Sequence, residues 1–311
     1  MRVFVAGASG VIGRPLLAAL TAAGHEVTGM TRRADRVAGI EAAGARGVVC
    51  DCFDPDGLTD SVRAAAPEVV VHELTALPPK LDIREKGVYD ANNRIRTEGT
   101  RNLVAAAQAA GARRMVAQSI AFVYAPMGGP VKSEADPVMQ AVQGEFAAAL
   151  EATMDLERQV RDAEGLDGLV LRYGFFYGPG SSYAADGYQA EEVRRRRFPI
   201  VGAGTGVFSF VHVDDAAGAT VAACERGEPG TYNVCDDDPA LLRDWLPVYA
   251  RAVGAKRPMR VPKLIARLVA GAGAVAFATT LRGASNEKAK RELGWQPGYA
   301  SWRQGFEQAL G

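Results

Sequence analysis

Short apolar segments alternate with helical ones along the first half of the chain, and this alternation limits the fold more than any other feature. "RVFVAG", "HEVTGMTR", "PEVVVHEL" and "LDGLVLRYG" are typical of strands, and segments such as "VIGRPLLAALTAAG" and "TEGTRNLVAAAQAAG" between them are typical of helices. Strands without a polar face belong to parallel sheets covered on both sides. Right-handed crossovers between such strands produce a doubly wound sheet. The sequence therefore predicts an α/β fold.

The alternation ends after Tyr173 and returns only briefly. "FFYGPGSSYAADGY" is rich in Gly, Pro, Ser and Tyr and is typical of a loop, whereas the chain from Pro239 onwards is mostly helical. We therefore expect two domains. Residues 1–173 and 207–238 would form the sheet domain, and residues 174–206 and 239–311 a smaller, mostly helical substrate domain.

Composition limits the partners. The 311 residues include 36 basic and 36 acidic side chains, so the formal net charge is zero. Nucleic acids and membrane surfaces favour a basic excess, and we expect neither as a partner. The apolar stretch "LIARLVAGAGAVAFATTL" contains Arg267 and much Gly and Ala, which indicates one or two packed helices rather than a membrane span.

The cysteines and the N-terminus indicate the compartment. The four cysteines and three histidines lack metal-ligand spacing, so no metal site is predicted and free thiols in a reducing cytosol are expected. "MRVFVAGASG" enters a strand directly, without the pattern of a signal peptide. The sequence predicts a cytoplasmic protein.

A glycine-rich turn joins the first strand to the first helix. In "GASGVIG", Gly7 permits a tight turn, Gly10 lets a pyrophosphate approach the backbone, and Gly13 lets helix and strand pack closely. The free N–H groups of the helix N-terminus then bind the anion. This is the dinucleotide-binding turn of a Rossmann fold. The cofactor-binding residues predicted here are Gly7, Ser9, Gly10, Val11, Ile12 and Gly13.

The end of the second strand indicates which dinucleotide binds. NAD-dependent enzymes usually carry an acid here for the ribose 2′-hydroxyl, but this chain has Thr31, Arg32 and Arg33. Guanidinium groups pair bidentately with a 2′-phosphate. NADP is therefore the first choice and NAD the second.

With these motifs the chain resembles the extended short-chain dehydrogenase/reductase family, in its epimerase/dehydratase branch. "GASGVIG", "CDCFDPDGL", "VVVHELTA", "GTRNLVAAA", "LRYGFFYGPG", "FVHVDDAA" and "SNEKAKRELGWQP" carry the resemblance over nearly the whole length. It implies that Asp51 and Cys52 meet the adenine. It also implies a lining for the nicotinamide half made of Leu74, Thr75, Ser119, Tyr173 and Phe176.

The resemblance fails at the catalytic positions. Family members use a Ser or Thr to bind the substrate oxygen, a Tyr to exchange the proton, and a Lys four residues later to lower the pKa of that Tyr. Counted back from Glu157, the Tyr and Lys positions hold Ala149 and Thr153. The Ser position holds Ile120, with Ser119 one step earlier. The standard proton relay is therefore predicted to be absent.

Two further family positions differ. The asparagine of helix four is replaced by Arg96, and the late arginine that grips a nucleotide-sugar phosphate by Phe208. A nucleotide sugar is therefore a poor substrate prediction. A less charged, relatively apolar ligand is favoured by the following aromatic residues: Phe122, Tyr124, Phe175, Phe176, Tyr177 and Phe208.

Three hypotheses remain open. The first is an NADP-dependent oxidoreductase with a relocated acid, for which Glu145, Tyr124 and Tyr177 are candidates, while Thr153 and Ser119 complete the candidate catalytic set. The second is an isomerase, lyase or cyclase without net redox, and the third a non-catalytic NADP sensor. The resemblance also implies a homodimer through the helices "TEGTRNLVAAAQAA" and "FAAALEATMDLERQV".

Overall fold

A computed structural model describes residues 1–82, 85–140, 142 and 144–310. The strands are β1 (Arg2–Ala6), β2 (Glu26–Thr31), β3 (Arg46–Val49), β4 (Val69–His72), β5 (Arg114–Ile120), β6 (Val131–Lys132), β7 (Asp167–Tyr173), β8 (Phe175–Tyr177), β9 (Ile200–Val201), β10 (Val207–Phe208), β11 (Phe210–His212), β12 (Gly230–Val234), β13 (Ala240–Leu241), β14 (Arg260–Val261) and β15 (Gly283–Ala284). The helices are α1 (Gly13–Ala22), α2 (Val37–Ala42), α3 (Pro55–Ala65), α4 (Asp90–Arg94), α5 (Thr100–Ala109), α6 (Glu145–Arg161), α7 (Tyr188–Arg194), α8 (Val213–Glu225), α9 (Leu242–Ala252), α10 (Lys263–Thr280), α11 (Glu287–Leu293) and α12 (Trp302–Leu310). A 3₁₀ turn spans Ala34–Arg36 and a π-helical turn spans Ile95–Gly99.

The main sheet is parallel and doubly wound, as the alternating segments predict. Its seven strands have the order β12-β7-β5-β4-β1-β2-β3. Helices α1 and α8 pack on one face, and α3, α5 and α6 on the other. Because both faces are covered, β4 is buried along its whole length. The carboxyl ends of β1, β4, β5 and β7 meet at one edge, where doubly wound sheets bind their ligands.

A second apolar core lies outside the sheet. Aromatic side chains dominate it, among them Tyr177, Phe208, Phe210, Trp245 and Phe306. The segment 207–238 contributes to this core as well as to the main sheet. The proposed division into two domains has support from the two cores and stays a prediction.

Helix α10 departs from the expectation of a packed helix. It bends at Gly271, whose φ is 84°, and Ala278 near its end is buried, but Leu264 and Leu268 are 72% and 80% exposed. Among the described residues, α10 is the helix long and apolar enough to cross a bilayer, with 17% of it buried. One such helix is weak evidence of a membrane span.

Candidate active site

The glycine turn has the backbone geometry that a pyrophosphate site needs. Gly7 has a φ of 95°, and a Cβ there would lie 2.5 Å from the carbonyl oxygen of Glu73. A Cβ on Gly13 would collide with the Gly7 carbonyl, whereas one on Gly10 would meet only that carbonyl oxygen, at 3.1 Å. The residue before α1, Ile12, offers no side-chain cap. Arg14 donates its amide to the Gly10 carbonyl at 3.2 Å and Pro15 has no N–H, so in the first turn of the helix the Gly13 amide is the one left for a ligand. These features fit a dinucleotide phosphate.

The side chains around the turn hold it in place. Ser9 Oγ lies 3.2 Å from Thr31 Oγ1, which ties the turn to the end of β2. Ile12 is buried, and Val11 is half-buried against the sheet core. The predicted residues of the turn therefore lie together at the end of β1.

The two arginines after β2 differ in their surroundings. The Arg33 guanidinium donates to both carboxylate oxygens of Asp35, at 3.0 and 2.7 Å, on the surface. Arg32 is exposed, and its positive charge acts on the Cys52 thiol. Of the two, Arg32 is therefore the one without a hydrogen-bond partner among the described residues, and its charge acts near the predicted adenine contacts.

The predicted adenine contacts follow β3. Asp51 Oδ1 accepts a hydrogen bond from the Phe53 amide, at 3.0 Å, and this fixes the turn. Cys52 is buried, which raises the pKa of its thiol to about 11. All four cysteines are unpaired and buried.

The predicted nicotinamide lining comes from the ends of β4 and β7. Leu74 donates its amide to His72 Nδ1, at 3.3 Å, and Thr75 beside it is exposed. The rings of Tyr173 and Phe176 lie 5.2 Å apart. The hydroxyl of Tyr173 points into the interior, where it lies 2.6 Å from Thr220 Oγ1.

Glu73, at the same edge, was missed by the sequence interpretation. Its Oε1 accepts from Tyr173 at 3.2 Å, and its Oε2 is buried with no hydrogen-bond partner among the described residues. Burial raises the pKa of this carboxyl to about 8. The only signal in the sequence is an acid directly after the buried strand "VVVH".

The buried face of α6 carries the two residues predicted to stand at the family's tyrosine and lysine positions. Ala149, Thr153 and Glu157 follow one another at four-residue spacing, and each is at most 2% exposed. Thr153 donates its hydroxyl to the Ala149 carbonyl, at 2.6 Å, and accepts a hydrogen bond from Arg96. No group that exchanges protons near neutral pH stands at either position.

Ser119 and Tyr124 belong to one buried polar network. Ser119 donates to Glu157 Oε1 at 2.6 Å, and Arg172 donates to both oxygens of Glu157 at 2.8 and 2.6 Å. Arg172 also donates to the Tyr124 hydroxyl, at 3.1 Å, and that hydroxyl donates to Asn233 at 2.6 Å. Burial raises the pKa of Tyr124 to about 12. The hydroxyls of Ser119 and Tyr124 both donate to buried acceptors inside the protein.

The other two predicted acids lie apart from this network and from each other. Glu145 Oε2 accepts the Gly87 amide hydrogen, at 2.9 Å, at the start of α6. Tyr177 is fully buried in the second core, where burial raises its pKa, and it packs so closely on Gly305 that a Cβ there would collide with its hydroxyl. The structure thus brings together Ser119 and Tyr124, but not Glu145 or Tyr177.

Phe208 lies in the second core and lines no open cleft. Its ring packs against Phe175, Trp245 and Phe277 at centroid distances of 5.1, 5.0 and 5.2 Å. Phe122 stacks on Phe175, at 4.5 Å, where the end of β5 meets this core. The aromatic residues therefore build the apolar wall between the sheet and the C-terminal region.

A doubly wound parallel sheet with a glycine turn at β1–α1 defines the class of dinucleotide-dependent enzymes. Residues 3–235 match the model of the NAD dependent epimerase/dehydratase family. The chain belongs to this family, which confirms the resemblance, the enzyme class and the NAD(P) type of cofactor.

Its relatives include reductases. The chain is 48% identical to a 3-diazoavenalumate denitrifying reductase from Streptomyces sp., over 98% of this chain and 99% of that one. It is 27% identical to a 4-hydroxy-2-methyl-3-oxo-4-farnesyl-3,4-dihydroquinoline-1-oxide ketoreductase from Stigmatella aurantiaca, over 99% and 95%. A UDP-glucose 4-epimerase structure from Thermotoga maritima shares the fold, with a TM-score of 0.76 at 21% identity over 100% and 97% of the two chains. The chain is thus an NAD(P)-dependent reductase of the family.

Proposed function

We propose that this enzyme uses NADPH to reduce a small, relatively apolar electrophile, without a protein proton relay. An aromatic diazonium carboxylate, whose ring is apolar although its two substituents are charged, is the substrate class that fits best. The observation that carries the proposal is the inner face of α6, where Ala149 and Thr153 place no proton donor at the positions that the resemblance gives to the family's Tyr and Lys.

Of the four candidates for a relocated acid, three are held by hydrogen-bond partners and the fourth is buried. The hydroxyls of Ser119 and Tyr124 are held by Glu157 and Asn233, Tyr177 is enclosed, and Glu145 binds a backbone amide. A group that must release a proton in every turnover has to reach the substrate. A reaction that needs no protein acid accounts for these four placements, and it leaves unassigned the buried carboxyl of Glu73, whose pKa is raised to about 8.

A diazonium substrate meets that requirement. NADPH, when bound at the glycine turn, supplies a hydride. As the ring carbon gains the C–H bond with the hydride electron pair, the C–N bond breaks and dinitrogen leaves with its bonding pair. Charge and atoms balance without a proton, whereas a ketone would need one at its oxygen. The 48% identical relative, whose name specifies a diazo carboxylate and a denitrifying reduction, supports this class.

The preference for NADP rests on the positively charged end of β2. Arg32 keeps its donors free beside the predicted adenine site, and a 2′-phosphate gives such a guanidinium a bidentate partner. Asp35 occupies Arg33. We therefore assign the preference mainly to Arg32.

The cytoplasm and a homodimer complete the proposal. Four buried, unpaired cysteines suit a reducing compartment. A groove of about 590 Å³ beside α6, lined by apolar residues such as Ala147, Ala148 and Met154 and by the charged Glu151, Asp155 and Arg158, is the proposed place for a second copy. Sedimentation at micromolar concentration should give twice the 32.9 kDa chain mass, and a monomer would contradict the dimer.

The function is tested with para-carboxybenzenediazonium and NADPH deuterated at the transferring position. Deuterated benzoate should form far faster than without enzyme. The ketone para-acetylbenzoate should react slower by ~10²-fold or more, since a positioned acid is worth about that much. Equal rates on both compounds, or no deuterium in the benzoate, would show that the acid-free proposal is wrong.

A further inference from the structure

Arg96 is a buried cation that the proposed function leaves unused. It lies in the π-helical turn Ile95–Gly99 and is 7% exposed. Its guanidinium donates to Thr153 Oγ1, on the buried face of α6. Single π-helical turns interrupt helices mostly at functional sites, where they redirect a side chain.

The charge of Arg96 is not balanced by its surroundings. Within the described residues Arg96 forms no ion pair. The carboxylate whose charge acts most on it is that of Glu157. Both oxygens of Glu157 already accept hydrogen bonds from Arg172, and one also accepts from Ser119. One carboxylate therefore faces two buried guanidinium groups. The cluster carries a net charge of +1.

The neighbouring histidine does not supply a negative partner either. His72 Nδ1 accepts the Leu74 amide hydrogen, and its Nε2 lies 3.0 Å from Thr100 Oγ1. Burial and the positive charge of Arg96 lower the pKa of His72 to about 4, so its ring is neutral. Burial also lowers the pKa of Arg96 to about 10, which leaves it protonated at neutral pH.

The position of this cation points to the substrate rather than to the cofactor phosphates. Arg96 stands four residues before Thr100, which contacts His72 at the carboxyl end of β4, and it donates to Thr153 on the inner face of α6. The phosphate turn is on the β1–α1 side of the same edge. The cation is therefore beside the place where substrate and nicotinamide meet in the proposed function.

We propose that Arg96, held by Thr153, binds an anionic oxygen of the substrate, namely its carboxylate. A guanidinium group has five N–H donors in a planar fork, and Thr153 accepts a hydrogen bond from only one of its nitrogens, Nη1. The rest suit bidentate recognition of a carboxylate. This proposal rests on the proposed function and restricts the substrate of that reaction to compounds that carry a carboxylate.

The test compares cinnamate with its neutral counterpart cinnamamide, each titrated into NADP-saturated protein by calorimetry. Cinnamate should bind at least ~10-fold tighter, as a charge-assisted contact to a buried cation predicts. Arg96→Gln should abolish this ratio, and Arg96→Lys should keep part of it. Arg94→Gln removes a neighbouring surface arginine that pairs with Glu98 and should leave the ratio unchanged.

Two further measurements separate the alternatives. Arg96→Gln should unfold at the same or higher urea concentration than wild type, because an unpaired buried charge is removed; a purely structural arginine would give a lower midpoint. NADP affinity should change less than ~3-fold in Arg96→Gln, in contrast to the ~10-fold loss expected of a charge-assisted phosphate contact. A wild-type cinnamate ratio near one, or a loss of NADP affinity with the ratio intact, would overturn the proposal. Neither readout needs turnover, so failure of the diazonium reaction would not be mistaken for failure here.

Discussion

The turn between β1 and α1 and the inner face of α6 meet at the same edge of the sheet, yet they differ in how much of the family pattern they keep. The turn has each glycine that a pyrophosphate site requires, with Gly7 at a φ of 95° and Gly13 packed against its carbonyl. On the face of α6, Ala149 and Thr153 are predicted to stand at the positions of the family's tyrosine and lysine. In the proposed function, dinucleotide binding and proton transfer are therefore separate properties of this fold.

The reason lies in what each region asks of its residues. The turn depends on backbone conformation and close approach, which only glycine permits. The face of α6 depends on side-chain chemistry. In the proposed function the substrate needs no proton, so no proton-donating side chain is required on this face. What this face still requires is close packing and a hydrogen-bond partner for each buried polar group. Thr153 and the network around Glu157 provide these.

The largest effect is expected at Glu157. In Glu157→Gln the buried Arg172 loses its paired charge, and the free energy of unfolding should fall by ~3–5 kcal/mol, the usual result of breaking such a pair. Urea denaturation measures it, with exposed Glu151→Gln on the same helix as control. A loss below ~1 kcal/mol, the range of surface pairs, would mean that the network does not hold Ser119 and Tyr124.

The second-largest effect is expected in the turn between β1 and α1, where it lowers the affinity for NADPH. Gly10→Val should weaken NADPH binding by ~100-fold or more, about 2.7 kcal/mol, because the side chain would enter the space needed by the pyrophosphate. Calorimetry measures the affinity. The control is Gly39→Val, since a Cβ at Gly39 meets nothing within 4 Å. Normal binding by Gly10→Val would place the phosphates elsewhere and end the contrast between the two regions.

The smallest effect tests which arginine after β2 sets the preference for NADP over NAD. Arg32→Ala should weaken NADP binding by ~10-fold, the value of one charged hydrogen-bonded contact, and leave NAD binding unchanged. Arg33→Ala is the matched control and should change NADP affinity by less than ~3-fold, since Asp35 already holds Arg33. If wild type binds NAD and NADP equally, or if Arg33→Ala has the larger effect, the assignment to Arg32 is wrong.

Local patterns determined the α/β fold and the cofactor turn. Apolar periodicity is a local property, and it predicted the strands from "RVFVAG" to "LDGLVLRYG" that form the parallel sheet. A glycine turn between a strand and a helix is likewise confined to a few adjacent residues. The resemblance, counted back from Glu157, predicts that Ala149 and Thr153 stand where a catalytic pair would be, since residues four apart share a helix face.

Only the tertiary structure decided what surrounds that helix face. Arg96 reaches Thr153 across 57 positions of the chain, and Tyr124 meets Asn233 across 109. No sequence pattern encodes such pairings, because they depend on how distant elements pack. Burial is decided in the same way: it encloses the Tyr177 hydroxyl, leaves the charge of Arg96 unbalanced and raises the pKa of Glu73 to about 8. The sequence supplied these side chains, and the packing of the sheet, α6 and the C-terminal core determined their chemistry.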